Sequence, residues 1–231
     1  MEDLIYILFV SVSVPILLMA LLIEKKARLP ISFVLVGICI SVFVAEVNGL
    51  LMQVLNMKVF NFTIIVTPIT EEILKALPIL IYAVMVSDKK ETLFTASMSV
   101  GVGFAVLENA YYLLDDASFN FFDAVVRAFG TGLMHGMCTL LVGVGISFVK
   151  KKRKLFVVGT FSLLSTAITY HGIYNMLVQS KFEWVGFLLP IVTYIPFLLW
   201  RVVIKNRIKK KENQSVTALN GEGQESASAT E

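Results

Sequence analysis

Seven stretches of this chain are predominantly apolar for 20 residues or more: roughly 4–23, 31–55, 62–86, 92–114, 124–149, 155–178 and 184–204. About 20 apolar residues in a helix cross the roughly 30 Å hydrocarbon core of a bilayer. Hydrophobic residues make up 57% of the chain, against roughly 45–50% in soluble domains, and a chain this small could not hide that surface in a core of its own. Lipid also forces every backbone N–H and C=O to be satisfied within the segment, which helices do. The expectation is an all-α, polytopic membrane protein with about seven transmembrane helices, multi-pass in the cell membrane, with the lipid bilayer as its surroundings. Residues 1–204 form the membrane domain. Residues 205–231 begin basic, turn rich in Ser, Gly, Glu and Gln, and have too little apolar content to fold. They read as a disordered cytoplasmic tail.

Charge sets the orientation. Of the 20 basic residues, 16 lie in the first, third and fifth connections or between Arg201 and Lys211, and only Lys58 and Lys181 flank the spans on the other side. The positive-inside rule then puts the N-terminus outside and the C-terminus inside, which requires an odd number of spans. The basic runs read as membrane-flanking anchors, and no nucleic-acid partner is indicated. The N-terminus is acidic, Met1-Glu2-Asp3, where a cleaved signal would be basic, so the first run reads as a retained helix. Cys39 and Cys138 have no metal-type spacing and read as buried small hydrophobes.

The residues that do not belong in a bilayer carry the functional information. Glu46, Glu71, Glu72, Lys75, Glu108, Arg127, His135 and His171 all fall inside spans, accompanied by Asn48, Asn109 and Asn175. Each such group costs about 2.5–3.5 kcal/mol on insertion scales and marks function more often than packing. Four carboxylates face two permanent cations, so two must be protonated, balanced by protonated histidine, or reached by water. At about 1.5 Å per residue, Glu71 and Glu72 lie roughly 15 Å inside the third span, and Glu108, His135, His171 and Asn175 fall between the bilayer centre and the outer leaflet. Different helices thus deliver polar groups to one slab. Register agrees: Glu71 and Lys75 share a face, as do Arg127, Thr131 and His135, Phe104 and Glu108, and His171 and Asn175. Gly101, Gly103, Gly130, Gly132 and Gly136 would let these helices approach closely. Pro68 and Pro78 bracket the Glu pair and can kink its helix.

Glu71-Glu72-Ile73-Leu74-Lys75 resembles the EExxK motif of the PrsW family of intramembrane proteases. Phe104 to Asn109 matches its FxxxEN motif, Leu133-Met134-His135-Gly136 is similar to its third motif, and His171-Gly172-Ile173-Tyr174-Asn175 matches its HGxxN/D motif. All four occur in order, each within a span, over about residues 62–180. The family is related to the glutamic-type CAAX prenyl proteases and to the APH-1 subunit of gamma-secretase. The chain departs from the CAAX pattern in two places: Lys75 comes one residue before the expected Arg, and Glu108 stands where His is expected. The resemblance implies an intramembrane endopeptidase of glutamic type. It would cleave a single-span membrane protein substrate, such as an anti-sigma factor, near the outer leaflet.

On that resemblance Glu71, Glu72, His135 and His171 are the catalytic candidates, supported by Lys75, Glu108, Asn109, Arg127 and Asn175. One of the two Glu would activate water, Glu71 by analogy, with Glu72 holding Lys75. The histidines would orient the water, stabilise the oxyanion and protonate the leaving amine, and Asn175 would donate a further hydrogen bond to the oxyanion. Glu108 is expected to pair with Arg127 or His135. Glu46 and Asn48 match no motif and read as packing or substrate-entry polarity. Two His and a Glu also form a zinc set, but HExxH is absent and no two His share a helix, so no metal or other cofactor is expected. A proton-coupled transporter is the rival reading, since Glu/His chains also relay protons, although no internal repeat is visible. A non-catalytic membrane scaffold is the other rival.

Overall fold

The computed structural model describes residues 2–115, 121–150, 152–196 and 199. Among them it holds seven helices and no strand: α1 (Glu2–Leu22), α2 (Lys25–Leu55), α3 (Val59–Met85), α4 (Lys90–Asp115), α5 (Phe121–Ile146), α6 (Arg153–Val178) and α7 (Glu183–Pro196). The first six expected spans coincide with α1 to α6, and α7 covers the described start of the seventh; the chain is an all-α, polytopic membrane protein. Residues 205–231, read as a tail, lie outside the described residues, as does most of the seventh span beyond Pro196. The chain divides into two compact units, Met1–Ile191 and Val192–Glu231. The second is described only at residues 192–196 and 199.

Five helices are long and apolar enough to cross a bilayer. Helix α3, with 27 residues, fails that test only because every 18-residue stretch of it contains Glu71, Glu72 and Lys75. Its missing hydrophobicity is the site itself.

Within the first unit, α4 and α5 are the central helices, each with 61% of its spanning segment buried, against 11% for α1 and α6. Glycines set how closely the helices approach. A Cβ at Gly37 would lie 2.1 Å from the Val100 carbonyl oxygen, and one at Gly103 the same distance from that of Val34, so α2 and α4 meet backbone to backbone. A Cβ at Gly101 would lie 2.3 Å from the carbonyl oxygen of His135, which seats α4 directly on the turn of α5 that carries the histidine. Gly132, expected to serve the same purpose, has nothing within 4 Å of its Cβ position. Gly37 was not among the glycines that the motifs pick out.

Two connections are tightly made. The C-terminal carbonyls of α1 are capped by Arg28, whose guanidinium donates to Ile23 O at 3.0 Å and Leu21 O at 3.2 Å, a favourable place for a cation. Helix α2 ends at Asn56, which takes a left-handed conformation (φ 47°) and bonds back to Met52. Asn tolerates that conformation better than most residues, and it turns the chain into α3 within three residues.

The two cysteines differ. Cys138 is buried, but Cys39 is exposed on the outer side of α2, so the expectation of two core cysteines is corrected at Cys39. Its position in an apolar run could not separate a helix face packed on protein from one packed on lipid.

Candidate active site

Helix α3 supplies three ionisable side chains on one face. Glu71 and Glu72 are 5% and 1% exposed and Lys75 is completely buried. An ammonium in such a place needs partners. Nζ of Lys75 lies 2.6 Å from Oε1 of Glu72 and 2.8 Å from Nδ1 of His135, but 4.0 Å from Oε2 of Glu71. The ring of Phe104 on α4 stacks under it, 4.6 Å from Nζ. Lys75 is thus held by Glu72 rather than Glu71.

The two histidines meet on this face from α5 and α6. Their rings stand edge to face with centroids 4.9 Å apart. Nδ1 of His171 is 2.9 Å from the same Glu72 oxygen that holds Lys75. Nε2 of His135 makes a short hydrogen bond to Oε2 of Glu108 on α4. Phe104 and Glu108, one turn apart, therefore both pack on His135, the ring of Phe104 with its centroid 4.9 Å away. Thr139 fixes the next turn of α5 by donating to the carbonyl of His135 at 2.8 Å.

Glu71 is left differently placed. Its Oε2 is buried and has no hydrogen-bond partner among the described residues. It lies 3.8 Å from Nε2 of His171 and 3.9 Å from Nδ1 of His135. Those distances are too long for direct hydrogen bonds and short enough for one atom to bond to all three groups. Four helices thus bring Glu71, Glu72, Lys75, Glu108, His135 and His171 together, as shared depth led one to expect.

The remaining residues named from the sequence lie around this centre. The guanidinium of Arg127 packs over the ring of Tyr112, 4.5 Å from its centroid. Asn109 is buried, its Oδ1 without a hydrogen-bond partner among the described residues. Asn175 donates through Nδ2 to the backbone carbonyl of Thr63 on α3 at 2.9 Å. It ties α6 to α3, a different use from the oxyanion contact that the resemblance implied. Gly172 joins in: a Cβ there would lie 2.9 Å from the Ile64 carbonyl oxygen, which Pro68 leaves without its helical donor. Glu46 accepts a hydrogen bond from the hydroxyl of Tyr6, tying α1 to α2. Asn48 accepts from Thr70 at 2.6 Å, tying α2 to α3. Sequence reasoning missed Tyr174, which is buried and shares a 2.7 Å hydrogen bond with Thr131. Its spacing of three from His171 was the available signal.

A family model described as PrsW family intramembrane metalloprotease matches residues 25–201. The chain belongs to the PrsW family. It is therefore an intramembrane peptidase, a hydrolase embedded in the membrane by several helices and acting where membrane proteins are its neighbours. No curated protein and no solved structure matches the chain. The PrsW description names a metalloprotease, and the donor set can be tested against such an ion. Glu71, His135 and His171 each offer one ligand atom, all within 4.8 Å of one another. Two His and one carboxylate is a zinc donor set, and bonds near 2.1 Å space tetrahedral ligands by about 3.4 Å, somewhat closer than the spacing here. Each imidazole also has a carboxylate on its other ring nitrogen, Glu72 for His171 and Glu108 for His135, the outer-shell arrangement of metal-binding histidines. The residues fit in kind. Lys75, on Nδ1 of His135, would have to give way.

Proposed function

We propose that this chain is an endopeptidase of glutamic type that cuts a single-span membrane protein, such as an anti-sigma factor, near the outer leaflet, with Glu71 as general base. The observation that carries this reading is the division of labour on α3. Glu72 is engaged by Lys75 and His171 through Oε1; Oε2 of both glutamates has no hydrogen-bond partner among the described residues, but it is that of Glu71 that faces both imidazoles. In the reaction, Glu71 takes a proton from water as the water oxygen bonds to the scissile carbonyl carbon. The C–N bond then breaks and that proton passes to the leaving nitrogen, so one water is consumed and two chain ends result.

A second reading rests on the carboxylate behind each imidazole. In it Glu71, His135 and His171 hold a metal ion, which would polarise the scissile carbonyl and ease proton loss from water. The chain's residues then act as ligands, with Glu72 and Glu108 orienting the two rings. Purified protein in liposomes, given a labelled single-span substrate, separates the two. Under the glutamic reading a strong chelator leaves cleavage intact while Glu71→Gln abolishes it. Loss on chelation and recovery with zinc establishes the metal reading instead. If co-expressed single-span candidates are cut equally by wild type and Glu71→Gln, both readings fail.

A further inference from the structure

The hydrogen-bonding capacity of three side chains makes the two histidines unequal. Lysine ammonium has three donors and no acceptor. Its Nζ sits 2.8 Å from Nδ1 of His135, so that nitrogen is the acceptor. The proton of a neutral ring is then on Nε2, where the Glu108 carboxylate receives it. His171 is arranged the other way. Its Nδ1 faces Oε1 of Glu72 at 2.9 Å. That oxygen also accepts from Lys75 at 2.6 Å, so Nδ1 is the donor, and in the neutral ring Nε2 carries the lone pair. Nε2 is also the His171 nitrogen that faces Oε2 of Glu71, at 3.8 Å.

We infer that Lys75 is a positioning residue that sets the two rings in opposite tautomers, so that Glu71 and His171 are the working pair and His135 is a clamped support. His135 has both ring nitrogens engaged, Nδ1 by Lys75 and Nε2 by Glu108, while Phe104 packs on its face and Thr139 holds its carbonyl. A ring held at both ends is poorly placed to exchange a proton with substrate. His171 is held at one end only, and its Nε2 faces Oε2 of Glu71, which has no hydrogen-bond partner among the described residues. Lys75 also shares its charge between Glu72 and His135, so one side chain on α3 fixes groups on α5 and, through Glu72, on α6. This assignment deepens the endopeptidase reading and rests on it for the roles of the two rings. For neutral rings the tautomers themselves follow from the contacts alone.

The chain contains only two histidines, so ring-15N-histidine labelling of the full-length protein in liposomes resolves both. Each is identified by loss of its signals in His135→Gln or His171→Gln. In wild type, His135 is expected with a protonated Nε2 and an acceptor Nδ1, and His171 with a protonated Nδ1 and an acceptor Nε2. Lys75→Met is expected to shift the His135 signals and to lower kcat roughly a hundredfold with little change in KM, the scale of a lost acid–base contribution. Lys75→Gln retains an N–H donor and should recover part of both. Two protonated Nδ1 nitrogens in wild type, or a folded Lys75→Met protein with unchanged His135 signals, overturns the inference. If Lys75→Met does not fold, the wild-type spectrum decides alone. Opposite tautomers in a protein that cleaves no membrane substrate would leave Lys75 its positioning role and remove the endopeptidase reading.

Discussion

Asn175 on α6 and Thr63 on α3 are joined by a hydrogen bond from side-chain amide to main-chain carbonyl, 112 positions apart in sequence and 2.9 Å apart in space. It sits one turn from His171 on one helix and two turns from Glu71 on the other, so it sets the spacing between Glu71 and His171 without touching either. Hydrogen bonds between membrane helices contribute on average about 0.6 kcal/mol, and up to about 1.7. Asn175→Leu should therefore lower the thermal midpoint only slightly while reducing kcat well beyond the loss of folded protein. Rates normalised to folded protein, measured by circular dichroism on the same samples, check this. A loss of activity that only tracks the loss of fold would show the bond to be structural alone.

The glycines give a contrasting pair on adjoining helices. An Ala Cβ at Gly101 meets the His135 carbonyl oxygen at 2.3 Å, whereas one at Gly132 meets nothing within 4 Å. Overpacking typically costs about 1–3 kcal/mol, and here the obstacle is backbone that carries the imidazole. Gly101→Ala should lower the thermal midpoint by many degrees or block accumulation of the protein. Gly132→Ala should leave it unchanged or slightly raised. Equal behaviour of the two would mean that α4 and α5 do not meet as described.

Groups that act as one catalytic unit are strongly non-additive. Glu71→Gln and His171→Ala should each reduce cleavage by orders of magnitude, and the double variant should be little worse than either. Because removing a buried charge can also unfold a bundle, expression and thermal midpoint are measured alongside. Two folded single variants that cleave at near wild-type rate would refute the role given to the cluster.

Orientation is open to a direct test. Reporter fusions at Lys89 and Lys152 should score cytoplasmic, and one at Met57 external. The opposite result at Met57 would overturn the orientation read from the basic residues.

Much of this architecture is legible in the residues because lipid leaves few options. An apolar run of 20 or more residues becomes a helix, and an ionisable group within it must find partners. The convergence of Glu71, Glu72, His135 and His171 follows from depth and order. What depth cannot supply is rotation about the helix axis and the choice among neighbours of like chemistry. Thus Glu72 rather than Glu71 takes Lys75, Glu108 takes His135, and Asn175 turns to a main-chain carbonyl. Cys39 shows the same limit, since an apolar run looks alike on the face toward lipid and the face toward protein. Gly37 was missed for a related reason: its partner is a carbonyl oxygen on α4, and no side-chain pattern marks a backbone contact.

The charge density of α3 bears on how the protein is made. Each ionised side chain near a helix centre opposes entry into lipid by roughly 2.5–3.5 kcal/mol, so Glu71, Glu72 and Lys75 together make α3 the span least able to leave the insertion machinery unaided. Within α3 itself Lys75 bonds closely to Glu72 and stands 4.0 Å from Glu71. The short turn after Asn56 delivers α3 against α2, but His135 arrives only with α5 and His171 only with α6. The cluster therefore stays incomplete until most of the chain has been synthesised, and a nascent protein stopped before α5 holds a carboxylate pair in the membrane with one lysine to answer it. Such a fragment would be conspicuous to membrane quality control, and the cluster is whole only in a nearly finished chain.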